Sequence, residues 1–172
     1  MSDFSCSSFD PIADPDAQVL ILGSMPGAES LRQQQYYAHP RNLFWVIMGD
    51  LFGAGPELPY RHRVERLRTR RIALWDVLAS CERPGSLDSS IDMDRARPND
   101  MVSLLEDCPG IHHVFFNGAM SEKLYMKLVH QGLLAQGFLL KTIRLPSTSP
   151  AHAGVSRQRK LADWSQVKEA LV

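Results

Sequence analysis

QVLILGSMPGAES, residues 18–30, decides the fold. Four apolar residues, Val19 to Leu22, stand between a glutamine and a glycine. The run is too short for a helix and reads as a strand buried on both faces. Two glycines and a proline follow within Gly23–Gly27, which marks a tight turn at the strand's end. A strand buried on both sides needs further strands beside it and helices above and below.

The rest of the chain supplies them. Ile72–Val77, His113–Asn117 and Phe138–Leu145 read as three more strands. Phe44, Trp45, Ile47, Met48, Leu51 and Phe52 recur at helical spacing, so a helix is predicted over Arg41–Phe52, with Pro40 at its start. Further helices are predicted over Arg61–Arg71, with Val64 and Leu67 inward, and over Asn99–Asp107, stopped by Pro109-Gly110. Met120, Leu124 and Leu128 mark another, and Leu161, Trp164, Val167 and Leu171 mark the last. Strand and helix alternate, which predicts a three-layer α/β/α domain around a central, mostly parallel four-stranded sheet. Residues 1–17, rich in Ser, Asp and Pro, are expected to form a flexible N-terminal arm, and residues 18–172 a single domain. SCERPGSLDSS, residues 80–90, reads as a long polar loop.

Composition narrows the class. The chain has 172 residues, 44% hydrophobic and 22% charged, the mix of a soluble globular domain. No apolar run approaches the roughly 20 residues a membrane helix needs, and no signal segment opens the chain. A cytoplasmic protein with no membrane partner is expected. Lys plus Arg number 19 and Asp plus Glu number 19, which excludes a generally basic coat but leaves room for a local basic face. Cys6, Cys81 and Cys108 form no C-x-x-C pair, and the six histidines lack ligand spacing, so no metal site is expected.

In a parallel sheet the ligand crevice lies beyond the carboxyl ends of the strands. The unusual residues of this chain collect there: Gly23-Ser24-Met25-Pro26-Gly27, Gly85-Ser86-Leu87-Asp88, Asn117-Gly118 and Pro146-Ser147-Thr148-Ser149-Pro150. Tyr36, Tyr37, His39, Arg41 and Asn42 stand just ahead of a helix, where aromatic faces can stack on a base and amides can bond its edge. Either tyrosine is equally well read as core, and Asn42 as a helix cap. Arginines at 61, 63, 66, 68, 70 and 71 form one cationic run, and Arg157, Arg159 and Lys160 another beside the 146–153 loop. Either run can grip phosphates or simply face solvent.

LILGSMPGAESL at 20–31, QQYYAHPRNLFW at 34–45, ALWDVLASCERPGSLDSSI at 73–91, FFNG at 115–118 and LPSTSPAHA at 145–153 together resemble the uracil-DNA glycosylase superfamily. Within it, the hypoxanthine-DNA (deoxyinosine) glycosylase branch is the nearest match. The resemblance runs in order and spacing from about Val19 to the last helix.

That resemblance implies a DNA repair enzyme that flips a deaminated base out of the stack and hydrolyses its N-glycosidic bond. The implied substrate is double- or single-stranded DNA carrying such a base, most of all hypoxanthine. No cofactor is implied, a monomer suffices, and no lysine is placed for strand cleavage. Many superfamily members carry Asp or Asn at the third position of the first motif; here Met25 stands there and cannot polarise water. The resemblance moves the water-orienting role to Asn42. It assigns base binding to Gly23, Ser24, Met25, Tyr37 and Asn117. DNA contact falls to Ser147, Thr148, Ser149, His152 and Arg157. Uracil or xanthine as substrate stays open, as does a binding module without catalysis. A Ser/His/Asp hydrolase built on Ser147, Ser149, His152 and Asp88 ranks low, because G-x-S-x-G is absent.

Overall fold

Val19–Gly23 (β2) is buried along its whole length, with a strand paired on each side. The computed structural model describes residues 4–172. Ile72–Asp76 (β3) lies beside β2, His113–Asn117 (β6) on its other side, and Lys141–Leu145 (β7) beyond β6. All three pairings are parallel, in the order β3-β2-β6-β7. The register sets Gly23 opposite Asp76 and Asn117 opposite Leu145, so the four carboxyl ends share one edge. Helices cover both faces of the sheet, the three-layer arrangement expected.

The helices are Ala28–Gln33 (α1), Phe44–Phe52 (α2), Tyr60–Thr69 (α3), Met101–Asp107 (α4), Ala119–Leu128 (α5), His130–Ala135 (α6) and Arg157–Ala170 (α7). The apolar periods read from the sequence are the buried stripes: Phe44, Ile47 and Met48 of α2, Leu67 of α3, Leu124 of α5 and Trp164 and Val167 of α7 are all solvent-free. Trp164 packs edge-on to Phe44 at 6.0 Å between ring centroids, joining α7 to α2. No described helix is long and apolar enough to cross a membrane.

Several expectations shift. The N-terminal residues that are described do not hang free. Ser5–Ser7 (β1) pairs antiparallel with Leu78–Glu82 (β4), and β4 pairs with Arg97–Pro98 (β5) in a small second sheet. Ile12 exchanges backbone hydrogen bonds with Leu74 at 2.8 and 2.9 Å, and the Trp75 indole donates to the Phe9 carbonyl. Phe9, Ile12 and Ala17 anchor a stretch whose composition is otherwise that of a loop. β4 also takes the first three residues of the expected 80–90 loop, so the irregular stretch begins at Arg83. Helix α2 starts at Phe44 rather than Arg41, because residues 39–42 form a turn closed by Asn42 N–H on the His39 carbonyl. Strand β7 starts at Lys141 rather than Phe138, whose N–H closes the end of α6 on Leu133.

Candidate active site

A cavity of about 690 Å³ opens at the carboxyl edge of the sheet. Gly23, Asp76 and Asn117 reach it from the strand ends, Ser24 to Ser30 from the turn and α1, and Tyr36 to Asn42 from the approach to α2. Ser86 to Ser89 and the 147–152 loop complete the wall. Ten of the eleven residues singled out from the sequence line this one space: Gly23, Ser24, Met25, Tyr37, Asn42, Asn117, Ser147, Thr148, Ser149 and His152. Arg157 does not; it is the first residue of α7, is exposed, and pairs with Asp50 at 3.4 Å.

The loop Pro146–His152 is held from behind. Trp164 Nε1 donates to the Pro146 carbonyl at 2.9 Å, and Lys160 Nζ to the His152 carbonyl at 2.7 Å. Lys160 is therefore not the phosphate-facing cation of its cluster: it is buried, and burial lowers its pKa. Asn117 clasps the middle of the loop. Its Oδ1 accepts from Thr148 N–H, and its Nδ2 donates to Thr148 Oγ1, both at 2.9 Å. Thr148 is buried with these groups engaged, so it serves as the hinge-pin of the loop rather than an open surface group. Its carbonyl accepts from Leu43 N–H at 3.0 Å, which fastens the loop to the segment carrying Asn42. Gly118, at φ +92, passes so near the loop that a Cβ there would meet Ser147 Cβ at 3.0 Å. Thr148→Val leaves Asn117 Nδ2 without its partner and is expected to cost about 1–3 kcal/mol in denaturant unfolding; an unchanged midpoint would remove the clasp from this account.

Asn42 closes an Asx turn just ahead of α2, whose N-cap is Leu43: its Oδ1 accepts from Phe44 N–H, the first of the helix, at 2.9 Å. A carbonyl oxygen has two lone pairs, so the turn leaves one for a water. Ser24 Oγ donates to Asp88 Oδ2 at 2.7 Å. Burial raises the pKa of Asp88, against the pull of that hydroxyl and of Arg83. Met25 is buried in the cavity wall, where it offers shape and no charge. Tyr37 stacks its ring on Phe44 at 4.1 Å between centroids. Its backbone takes the left-handed φ of +53, uncommon for a non-glycine and frequent at functional sites.

Sequence reasoning missed three residues. Asp76 is buried at the carboxyl end of β3, and burial raises its pKa to about 7, with the Asp88 charge adding to the rise. Arg83 is buried and ties the first turn to the 83–88 loop, donating to the Pro26 and Gly85 carbonyls. Asp88 was placed at the crevice but given a role only in the hydrolase alternative. The available signal for Asp76 was a carboxylate inside the apolar run IALWDVL, Ile72 to Leu78, since a charge there is buried and needs a reason. Among the described residues, no three His, Cys, Asp or Glu side chains converge as a metal cage.

A parallel sheet that gathers backbone, amide and carboxyl groups round one cavity beside a loop of small hydroxyls defines a ligand-binding α/β/α domain. The model of the uracil DNA glycosylase superfamily matches residues 11–171, and the chain belongs to that superfamily, which comprises N-glycosylase hydrolases. It is 35% identical over 160 residues to a hypoxanthine DNA glycosylase of Methanosarcina acetivorans, covering 92% of this chain and 95% of the relative. A hypoxanthine DNA glycosylase of Methanosarcina barkeri is 38% identical, with 92% and 94% covered. A solution NMR structure from Methanosarcina acetivorans, described provisionally as a uracil DNA glycosylase, aligns with a TM-score of 0.79 at 33% identity. That alignment covers 97% of this chain and 98% of the other.

Proposed function

We propose that this protein removes hypoxanthine from deoxyinosine in DNA, acting as a monomeric, monofunctional glycosylase in the cytoplasm. The observation that carries the reading is the convergence of Asn42, the Gly23–Met25 turn and the 147–152 loop on one cavity. A flipped nucleotide would seat its base there, against the backbone of Gly23 and Ser24 and beside Tyr37. Ser147, Ser149 and His152, at the rim, would meet the DNA backbone. Asn117 and Thr148 would act on DNA through the loop they fix. Arg157 stands further out and would add charge only.

Hydrolysis of a glycosidic bond runs through an oxocarbenium-like sugar, so it needs a placed water and relief for the departing base. Asn42 Oδ1 would accept a hydrogen bond from the water and turn an oxygen lone pair toward the sugar carbon. A neutral amide orients water without removing its proton outright. The cavity's backbone N–H groups and hydroxyls would carry more of the work by stabilising the leaving base.

Uracil is the second reading. It shares the lactam edge of hypoxanthine, and the aligned solution structure is provisionally described as a uracil DNA glycosylase. End-labelled duplexes, each with one hypoxanthine, uracil or xanthine, incubated with protein and chelator and then treated with alkali, decide between them. Cleavage is expected at hypoxanthine. Cleavage at uracil alone would keep the superfamily and sink the substrate; DNA binding with no cleavage of any base would sink the enzyme.

A further inference from the structure

We infer that Asp76 and the Tyr37 hydroxyl form an acceptor–donor pair that reads the lactam edge shared by deaminated bases, with Gly23 left bare so that the edge can reach them. The inference rests on the base-excision reading above and adds the groups that select its substrate class.

Two polar atoms on the cavity floor lack a well-formed hydrogen bond among the described residues. Asp76 Oδ2 and Tyr37 Oη are both buried, the Asn117 amide stands close to the hydroxyl, and both residues line the cavity. Buried polar groups are nearly always paired, so two such atoms in one place call for a ligand. The two side chains flank one point. A Cβ on Gly23 would stand 2.5 Å from Asp76 Oδ1 and 2.8 Å from Tyr37 Oη. Any side chain at that position would fill the space between the two groups. The left-handed backbone of Tyr37 is what brings its hydroxyl to this spot, beyond the ring's stacking on Phe44.

Deamination inverts the edge that such a pair meets. Adenine offers an amino donor beside the N1 lone pair, and cytosine an amino donor beside the N3 lone pair. Hypoxanthine and uracil offer a carbonyl acceptor beside an N–H donor. A carboxylate only accepts, and a neutral phenol can donate. The product edge therefore bonds at both points, N–H to Asp76 and carbonyl from Tyr37, the former charge-assisted. The parent base would turn its ring lone pair toward the carboxylate, a repulsion that rejects it. The pair reads the chemical change itself, in purine or pyrimidine.

The reading requires Asp76 ionised, and its carboxyl, raised by burial to about 7, ionises across the neutral range. The charged and titratable groups around it are Arg83 and Asp88 from the loop after β4, Tyr36, Tyr37 and Tyr60 beneath, and His39 and His152 at the rim.

The experiment compares the intact protein with Asp76→Asn and Tyr37→Phe, each checked by thermal melting. Single-turnover base release from a hypoxanthine duplex is followed from about pH 5.5 to 8.5, with competition by free hypoxanthine and free adenine. The intact protein is expected to gain rate as pH rises through about 7 and to bind hypoxanthine over adenine. Asp76→Asn should lose that rise, and about tenfold or more of the preference, since an amide can turn its NH₂ to adenine N1. Tyr37→Phe should weaken hypoxanthine about tenfold and leave adenine unchanged. Retention of either the preference or the pH rise in Asp76→Asn overturns the inference. An unchanged hypoxanthine competition in Tyr37→Phe overturns the donor half. Failure of the intact protein to release any deaminated base is a different result: it removes the base-excision reading on which the pair depends.

Discussion

Asn42→Ser is expected to keep the fold and DNA affinity while slowing base release about a hundredfold or more. The variant is chosen because Asn42 has two jobs. Its Oδ1 holds Phe44 N–H in an Asx turn at the entry to α2, and a serine hydroxyl makes the same local turn, more weakly. Serine's hydroxyl is shorter and cannot hold the turn and reach a water in the cavity together. Asn42→Ala would lose both jobs, with about 1 kcal/mol of stability from the missing hydrogen bond confusing the reading. Single-turnover kinetics, DNA titration and a denaturant melt on Asn42→Ser separate them. Wild-type release with serine in place would leave Asn42 as a turn residue and nothing more.

Asp76→Asn is expected to make the protein more stable, and more so as pH rises. The folded-state value of about 7 lies above the ordinary 3.8, so burial disfavours the charged form. Below about 3.8 the carboxyl is neutral in both states and costs nothing by ionising. Between the two values the unfolded chain ionises while the folded one keeps its proton, and stability falls as pH climbs. Above about 7 the whole penalty stands. A displacement of about three units corresponds to roughly 4 kcal/mol at the upper end. Asparagine carries no such burden. Chemical unfolding of both proteins at about pH 4 and pH 8 measures the difference, expected to be a few kcal/mol larger at the higher pH. A difference that does not change with pH would mean that Asp76 is not paying for burial. A residue kept against stability points to use, and Asp76 lies in the cavity.

The sheet was legible because its strands are short apolar runs closed by glycine or polar residues, as in Val19–Gly23 and His113–Asn117. Long helices announced themselves by period, as α2 and α7 did. What escaped was short or mixed. Helices α1 and α6 have six residues each, too few to show a period. Strand β4 alternates with serine, cysteine and glutamate and faces a partner 75 positions earlier in the chain, Cys6 for Cys81. Nothing local reveals such a pairing. Of the cavity, the loops were readable because their glycines, prolines and serines are; Asp76 hid inside a strand, and the burial of Lys160 and Thr148 depends on packing between distant segments. Asn117 was visible as a strand-end amide, but its engagement with Thr148 is a tertiary fact.

The segment that crosses from β1 to Ile12 has a consequence outside the cavity. It lies along two strands that would otherwise present open backbone: β4, paired by Ser5–Ser7, and β3, the outer strand of the main sheet, bridged at Leu74. Unpaired edges are templates for sheet-to-sheet association between molecules. Ser5–Ile12 thus works as a selvedge, binding off two borders with a few residues each. Cutting it away would leave the chemistry's residues in the chain and expose a seam along which copies can join, so colloidal behaviour, before catalysis, is what those residues protect.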